Sequence, residues 1–412
     1  MNILQYIQNF NRKRGGRAFL LCILFIIGLT AGIVIGFFVR FPCIRPDNTH
    51  LTLPLHHGTA TPDATGGQVR LNGKYTGIIV EGDNMVPLHA LMEALGGSAT
   101  WSDATRQITI VYDNHTIEVR PNIRTASVNK RQTYLSSPLR IISDRAMVSL
   151  DFMTRYMELG LGFIHDTVVV TTETACQVPV LVYHHILPRD KSGAMPNNPW
   201  LVTTENFEEQ MRYLQENGFY AITLCDIENF LLHGRNLPAR SVMIHFDDGY
   251  YSNFVYAAPI MQQYGMRGQI FLITAEIEAL GNEQPPLDYS CLTFSAAVTI
   301  AAGTDVFETA SHSHNLHDRV YGSTDTRLMR AMRDDIIADT IQSFKFVQNH
   351  RAYVFPLAQY NEYVVNALQD AGIIMAFIGG DTHVTRYSNP FALPRFSVYN
   401  ATSLREFRNM VR

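Results

Sequence analysis

The sequence predicts an α/β chain in three parts: a parallel α/β sheet or barrel toward the C-terminus, a small α+β repeat before it, and an N-terminal transmembrane helix. Three observations carry this. From Val178 onward, short apolar runs alternate with amphipathic helical patterns. Residues 67–175 contain a weak internal repeat. Residues 18–39 carry no charge across 22 positions.

The transmembrane segment comes first. Arg12, Lys13, Arg14 and Arg17 precede the apolar run and Arg40 ends it. The positive-inside rule makes residues 1–17 a cytoplasmic basic segment and puts everything beyond the span outside. The run is longer than the apolar core of a signal peptide and no A-x-A-like site follows, so an uncleaved anchor is expected rather than a leader. Residues 40–66 are rich in Pro, Thr, His and Gly without a period and read as a linker, with His56 and His57 a solvated pair inside it.

In the repeat, "MVPLHALMEALGGSATW" (85–101) aligns with "MVSLDFMTRYMELGLGF" (147–163). Val86, Leu88, Leu91 and Leu95 fall on one helical face, as do Val148, Leu150, Met153 and Met157. The runs "RQITIVY" and "DTVVVTT" after them read as strands, and Asp103 and Asp113 sit at turns. No acid/base pair or copper-ligand cluster is visible here. The segment resembles the small α+β domain named after the N-terminal domain of copper amine oxidase, on the strength of "VPLHALMEALGGSATWSDATRQITI".

Beyond Val178, "VPVLVYHHIL" reads as one buried strand and "TTENFEEQMRYLQENGF" as an amphipathic helix closed by Gly218. Further strands are expected at "SVMIHF", "RGQIFLIT", "VFETASH", "AYVFPL" and "IIMAFIG". In parallel α/β folds the residues just past the strand ends build the site. Three strands end in suitable groups: Asp247-Asp248, "SHSHNLH" with His312, His314 and His317, and His184-His185. Imidazoles and carboxylates converging on one rim make a zinc or similar metal site. A plain turn with solvated carboxylates is the bland reading of "DDG". Strand alternation would put His314 on the same side as His312, which makes it a rival ligand.

Composition narrows the function classes. The 412 residues suffice for two or three domains, and 46% are hydrophobic. A net charge of −4 gives no reason to propose nucleic acid as a partner, and no phosphate loop or dinucleotide fingerprint occurs. The five cysteines (22, 43, 176, 225 and 291) are scattered, so no disulfide framework or zinc knuckle is indicated.

"HFDDGY" followed by "SHSHNLH" resembles the first two motifs of the polysaccharide deacetylases, the NodB-homology family. "PVLVYHHIL", "FPLAQYNE" and "LPRFSV" resemble its bacterial branch with biofilm poly-N-acetylglucosamine deacetylases, over residues 178–412. The resemblance implies a distorted (β/α) barrel, a divalent metal of zinc type held by Asp248, His312 and His317, and Asp247 as general base. In the related branch that it resembles, a histidine on the first strand replaces the C-terminal one of other members, which implies His184 as the acid, with His185 the alternative; no histidine follows His383. Arg395 is a candidate to orient Asp247, or a structural arginine. Pro356 shapes a loop whose Leu357 N–H is a candidate oxyanion donor, although Leu357 and Ala358 depart from the family's aromatic-Gly pattern. The expected activity is removal of N-acetyl groups from a cell-surface glycan of peptidoglycan or poly-N-acetylglucosamine type, by a chain anchored through residues 18–39. Two other classes compete: a glycan-binding wall protein with a degenerate site, and an O-acetyl esterase acting on a xylan-type polymer.

Overall fold

The structure is a computed structural model that describes residues 69–71, 74–75, 85–142, 144–164, 167–191, 198–281 and 306–412. The basic segment, apolar span and linker of residues 1–66 lie outside these. Among the described residues no helix is long and apolar enough to cross a membrane.

The internal repeat is visible as local symmetry. Each copy runs strand, helix, hairpin: Met85–Pro87 (β1) into Leu88–Leu95 (α1), and Arg145–Ser149 (β2) into Leu150–Tyr156 (α2). The two equivalent strands pair antiparallel with Val86 opposite Val148, Met85 opposite Ser149 and Pro87 opposite Met147. That register is a local two-fold through the Val86–Val148 pair. Leu88, Leu91, Leu150, Met153 and Met157 then meet in one core with Ile108, Ile110 and Ile117. Neither half could bury its own apolar face alone.

This small unit packs at the end of the second domain where the strand Ser241–Phe246 begins. Leu161 N–H donates to Asn236 O (3.2 Å) and Ala175 N–H to Leu237 O (2.9 Å). Gly160 allows the approach, since a Cβ there would lie 2.8 Å from Leu237 O.

The second domain is a curled parallel sheet. Its strands are Val180–Tyr183 (β3), Ser241–Phe246 (β4), Gly268–Leu272 (β5), Phe307–Ser311 (β6), Ala352–Val354 (β7), Met375–Phe377 (β8) and Phe396–Ser397 (β9). They lie in the order β8-β7-β6-β5-β4-β3-β9, parallel throughout. One short segment bridges the two edges. Leu393 exchanges backbone bonds with the β8 side (Leu393 N to Ala376 O 3.0 Å, Ile378 N to Leu393 O 2.9 Å), while Phe396 pairs with Leu181. The result fits a distorted barrel, and Arg395 sits in the bridging segment.

Strand β4 is buried along its whole length because it has core on both faces. Val242, Ile244 and Phe246 face the outer helices, and Met243 and His245 face inward toward Phe271 and Phe377. Helix α3, Thr204–Glu216, covers the outside with Phe207, Met211 and Leu214 at helical spacing. Thr203 caps it, and Gln210, buried in that face, accepts the Tyr183 hydroxyl at 2.8 Å.

The run 178–187 differs from the single strand the sequence suggests. It is three pieces: Gln177–Val178, β3, and His185–Leu187. Pro179 lacks an N–H for the ladder. At His184 the chain leaves β3, and His185–Leu187 pairs instead with Leu201–Thr203.

Candidate active site

Asp247 and Asp248 follow β4, and one backbone torsion separates their roles. Asp248 takes φ 72° and Gly249 φ 88°, both left-handed. The φ at Gly249 favours glycine, and a Cβ there would push on Leu272 Cδ2, 2.8 Å away. The turn sends the two neighbouring carboxylates to different partners.

Asp247 faces Arg395. The pair is bidentate, Nη1 to Oδ1 at 2.7 Å and Nη2 to Oδ2 at 2.8 Å, with both residues buried. Burial alone would raise the Asp247 carboxyl; the Arg395 guanidinium, with His312 and His184 nearby, overrides that and holds it below the usual carboxylate range. Arg395 also donates from Nε to Ile378 O at 3.2 Å, which ties it to the far edge of the sheet.

Asp248 faces two imidazoles. Its Oδ1 lies 3.6 Å from His312 Nε2 and 3.5 Å from His317 Nε2. One ligand-capable atom from each of the three lies within 4.8 Å of the others. His312 Nδ1 is 2.9 Å from Val354 O. A carbonyl can only accept, so Nδ1 carries the proton and Nε2 keeps its lone pair toward Asp248. Burial, opposed by Asp247 and Asp248, pushes the His312 imidazole down to about 4, so the ring is neutral at physiological pH. Two imidazole nitrogens and a carboxylate oxygen are a donor set that fits zinc or a similar divalent ion.

His314 stands outside this group. Strand alternation fails because Ser313 takes φ 72°. His314 instead contacts Thr274 Oγ1 through Nδ1 (3.0 Å) and Glu278 Oε2 through Nε2 (3.4 Å).

Two features had no signal in the sequence motifs. The His312–His317 segment is clamped from both sides. Thr274 and Ala275, at the start of helix α4 (Thr274–Leu280), donate to Ser313 O (3.2 Å) and His314 O (3.0 Å). Asp339, on helix α5 (Arg333–Ser343), accepts from His314 N (2.8 Å) and Asn315 N (2.6 Å). The second is Trp200, against which His184 packs with ring centroids 4.3 Å apart. Asp339 lies 25 positions from His314, in a run that reads only as a solvated helix face. Trp200 is one of two tryptophans in the chain, which was the available hint.

His184 is half-buried just beyond β3, close enough to Asp247 to act on its charge. His185 is buried against the Tyr250 ring at 3.7 Å. Burial pushes the His185 imidazole down to about 4, which suits a proton donor poorly. Beyond β7, Leu357 and Ala358 both take left-handed φ (53° and 56°), and Leu357 is half-exposed.

Comparison with known proteins gives family matches for two parts of the chain. Residues 234–376 match the polysaccharide deacetylase family, and residues 68–172 match the copper amine oxidase N-terminal domain. A Bacillus subtilis (strain 168) protein named for polysaccharide deacetylase is 26% identical over 230 residues, 56% of this chain and 74% of that protein. The poly-beta-1,6-N-acetyl-D-glucosamine N-deacetylase of Staphylococcus epidermidis is 24% identical, over 53% of this chain and 78% of its own. The Escherichia coli (strain K12) enzyme of that name is 23% identical, over 51% of this chain but 35% of its own length. Among solved structures, a Streptococcus pyogenes deacetylase in complex with acetate aligns over 58% of this chain and all of that one, at 19% identity and TM-score 0.48.

Proposed function

We propose that this chain, whose residues 234–376 form a polysaccharide deacetylase domain behind a copper amine oxidase N-terminal domain at residues 68–172, is a membrane-anchored, metal-dependent N-deacetylase of a cell-surface glycan of poly-N-acetylglucosamine type. The hydrolase class follows from the family match and from relatives named N-deacetylases. The observation that carries the finer reading is the grouping of Asp248, His312 and His317 within 4.8 Å, with the Asp247–Arg395 pair beside it.

Asp248, His312 and His317 would hold the ion, and the mixed nitrogen and oxygen donors favour zinc. When bound, such an ion supplies a Lewis acid for the acetyl carbonyl and lowers the pKa of a water. The rest falls to the chain's own side chains. Asp247, kept ionised by Arg395, accepts the proton of the attacking water as the new C–O bond forms. His184 donates a proton to the amide nitrogen as the C–N bond breaks, releasing acetate and leaving a free amine on the sugar. Arg395 fixes the Asp247 carboxylate through two bonds, so its proton-accepting oxygen stays oriented.

The anchor rests on residues 18–39 and the basic flank before them, and it places both domains outside the cell membrane. Protease added to intact cells is expected to reach residues beyond about 66; full protection until lysis would remove the anchor from the reading. The enzymatic part is tested on the purified chain by metal analysis together with acetate release from poly-β-1,6-N-acetylglucosamine, peptidoglycan and acetylated xylan. Acetate from xylan alone would favour the esterase class, and protein that binds no added zinc and releases no acetate in its presence would favour a glycan-binding protein.

A further inference from the structure

We propose that Trp200 and Tyr399 form a sugar-stacking subsite beside His184, which holds the apolar face of a pyranose ring of the acetylated glycan. The inference rests on the deacetylase reading for the identity of the glycan and on the following geometry for the subsite itself.

The Trp200 ring lies 4.3 Å from the His184 ring and 4.8 Å from the Tyr399 ring, tilted against both. The three aromatics are therefore continuous with the site. Trp200 is half-buried and Tyr399 is 39% exposed. An exposed tyrosine leaning on a partly exposed tryptophan beside His184 leaves apolar surface that water covers poorly. The C–H faces of a pyranose match such surface, while its hydroxyls remain solvated.

The platform is built rather than incidental. Trp200 and Tyr399 come from separate segments that are bonded to one another and to the strand carrying His184. Asn400 N–H donates to Pro199 O (2.8 Å), His185 N–H to Trp200 O (3.3 Å) and Val398 N–H to Val182 O (3.0 Å). Trp200 N–H is taken by Asn198 Oδ1 at 2.9 Å. Rings held on cross-bonded backbones lose little freedom when a ligand stacks on them, which is what makes aromatic subsites effective. The arrangement places a stacked ring next to the imidazole that would protonate the leaving amine. The sugar undergoing reaction, or the one adjoining it, is thereby fixed against His184.

The test separates binding from turnover. Affinity of the full chain for soluble poly-β-1,6-N-acetylglucosamine is measured by affinity electrophoresis, which needs no catalysis, and acetate release is measured in parallel. Tyr399→Ala is expected to weaken affinity about 3- to 10-fold, with Tyr399→Phe restoring it. Trp200→Phe, which keeps a ring against His184, is expected to weaken it less. If affinity falls in Tyr399→Ala while the wild type releases no acetate, the subsite stands and the deacetylase reading falls. Acetate released by the wild type, with unchanged affinity in Tyr399→Ala and Trp200→Phe, would overturn the subsite and leave the deacetylase reading intact. Neither binding nor acetate from the wild type would overturn both.

Discussion

The site has two halves that begin at the same strand end and are built on opposite electrostatics. On one, Asp247 is locked to the permanent cation of Arg395 and stays ionised. On the other, Asp248 faces His312 and His317, of which His312 is held neutral by burial. One left-handed residue, Asp248, separates them. Adjacent carboxylates can thus take distinct jobs: the one beside two imidazoles can join them as a ligand, and the arginine-paired one is free to accept a proton without competing for the ion.

The sharpest way to break this comparison is to neutralise each carboxylate in turn. Asp247→Asn is expected to lower acetate release by about 10²- to 10⁴-fold with metal content unchanged. Asp248→Asn is expected to lose metal, because a neutral amide is the poorer ligand. Metal content and acetate release of the two purified variants decide it. Equal metal loss in both would mean that the two carboxylates act as one unit.

Arg395 tests the first half through stability. Arg395→Met leaves Asp247 buried without its counter-ion, and breaking a buried pair in this way costs about 3–5 kcal/mol. The expected outcome is a large fall in unfolding free energy in denaturant titration. Near wild-type stability would show that water reaches Asp247 and that the pair is not sealed.

The two halves should also separate by pH. His312 and His185 sit at about 4 in the folded chain, against about 6.5 when unfolded. Their neutral forms are favoured by folding, so the stability they contribute is complete above about 6.5 and drains away as pH falls toward 4. At 1.36 kcal/mol per pH unit this is about 3 kcal/mol for each ring. Asp247 is depressed instead, so its contribution persists until pH falls below its usual value near 4. Metal-free protein should therefore lose melting temperature steadily between pH 6.5 and 4.5. Glu308, pushed up to about 7 by burial, gains stability as pH falls over the same window and offsets about one ring, so a flat profile would mean that the imidazoles are better solvated than their burial implies.

Much of this was legible in the chain. Strand β4 was readable because an apolar run buried on both faces has no polar alternation to confuse it. The aspartates were readable because charge at the end of such a run demands a partner. What could not be read was anything set by a single torsion or a distant helix. Alternation made His314 a rival ligand, and only the left-handed φ at Ser313 removes it from the group. The break at His184 was hidden because β3 and the following piece are equally apolar and differ only in which strand they pair with. Arg395 was ambiguous for a related reason: it lies 148 positions from Asp247.

The smallest expected effect concerns what holds the imidazole half in place. Asp339 accepts from the N–H groups of His314 and Asn315, the residues between the two ligands. Ser313 beside them is in a conformation that costs an L-residue about 1–2 kcal/mol. Such a backbone persists only where its surroundings over-determine it. Asp339→Ala removes both acceptors, and His317, three residues past His314, loses its fixed position. Outer partners of metal ligands are worth about 10- to 100-fold in affinity, so zinc affinity by chelator competition should fall in that range, toward its lower end because the Thr274 and Ala275 bonds remain. His314→Ala keeps the backbone N–H that Asp339 holds and removes the ring contacts to Thr274, Glu278 and Phe346, so it should change affinity by less than about threefold. Asp339→Glu should recover part of the loss. If Asp339→Ala binds zinc as the wild type does, the segment is held by the α4 side alone. If His314→Ala is the more damaging of the two, the ring contacts rather than the carboxylate clamp fix the imidazole half.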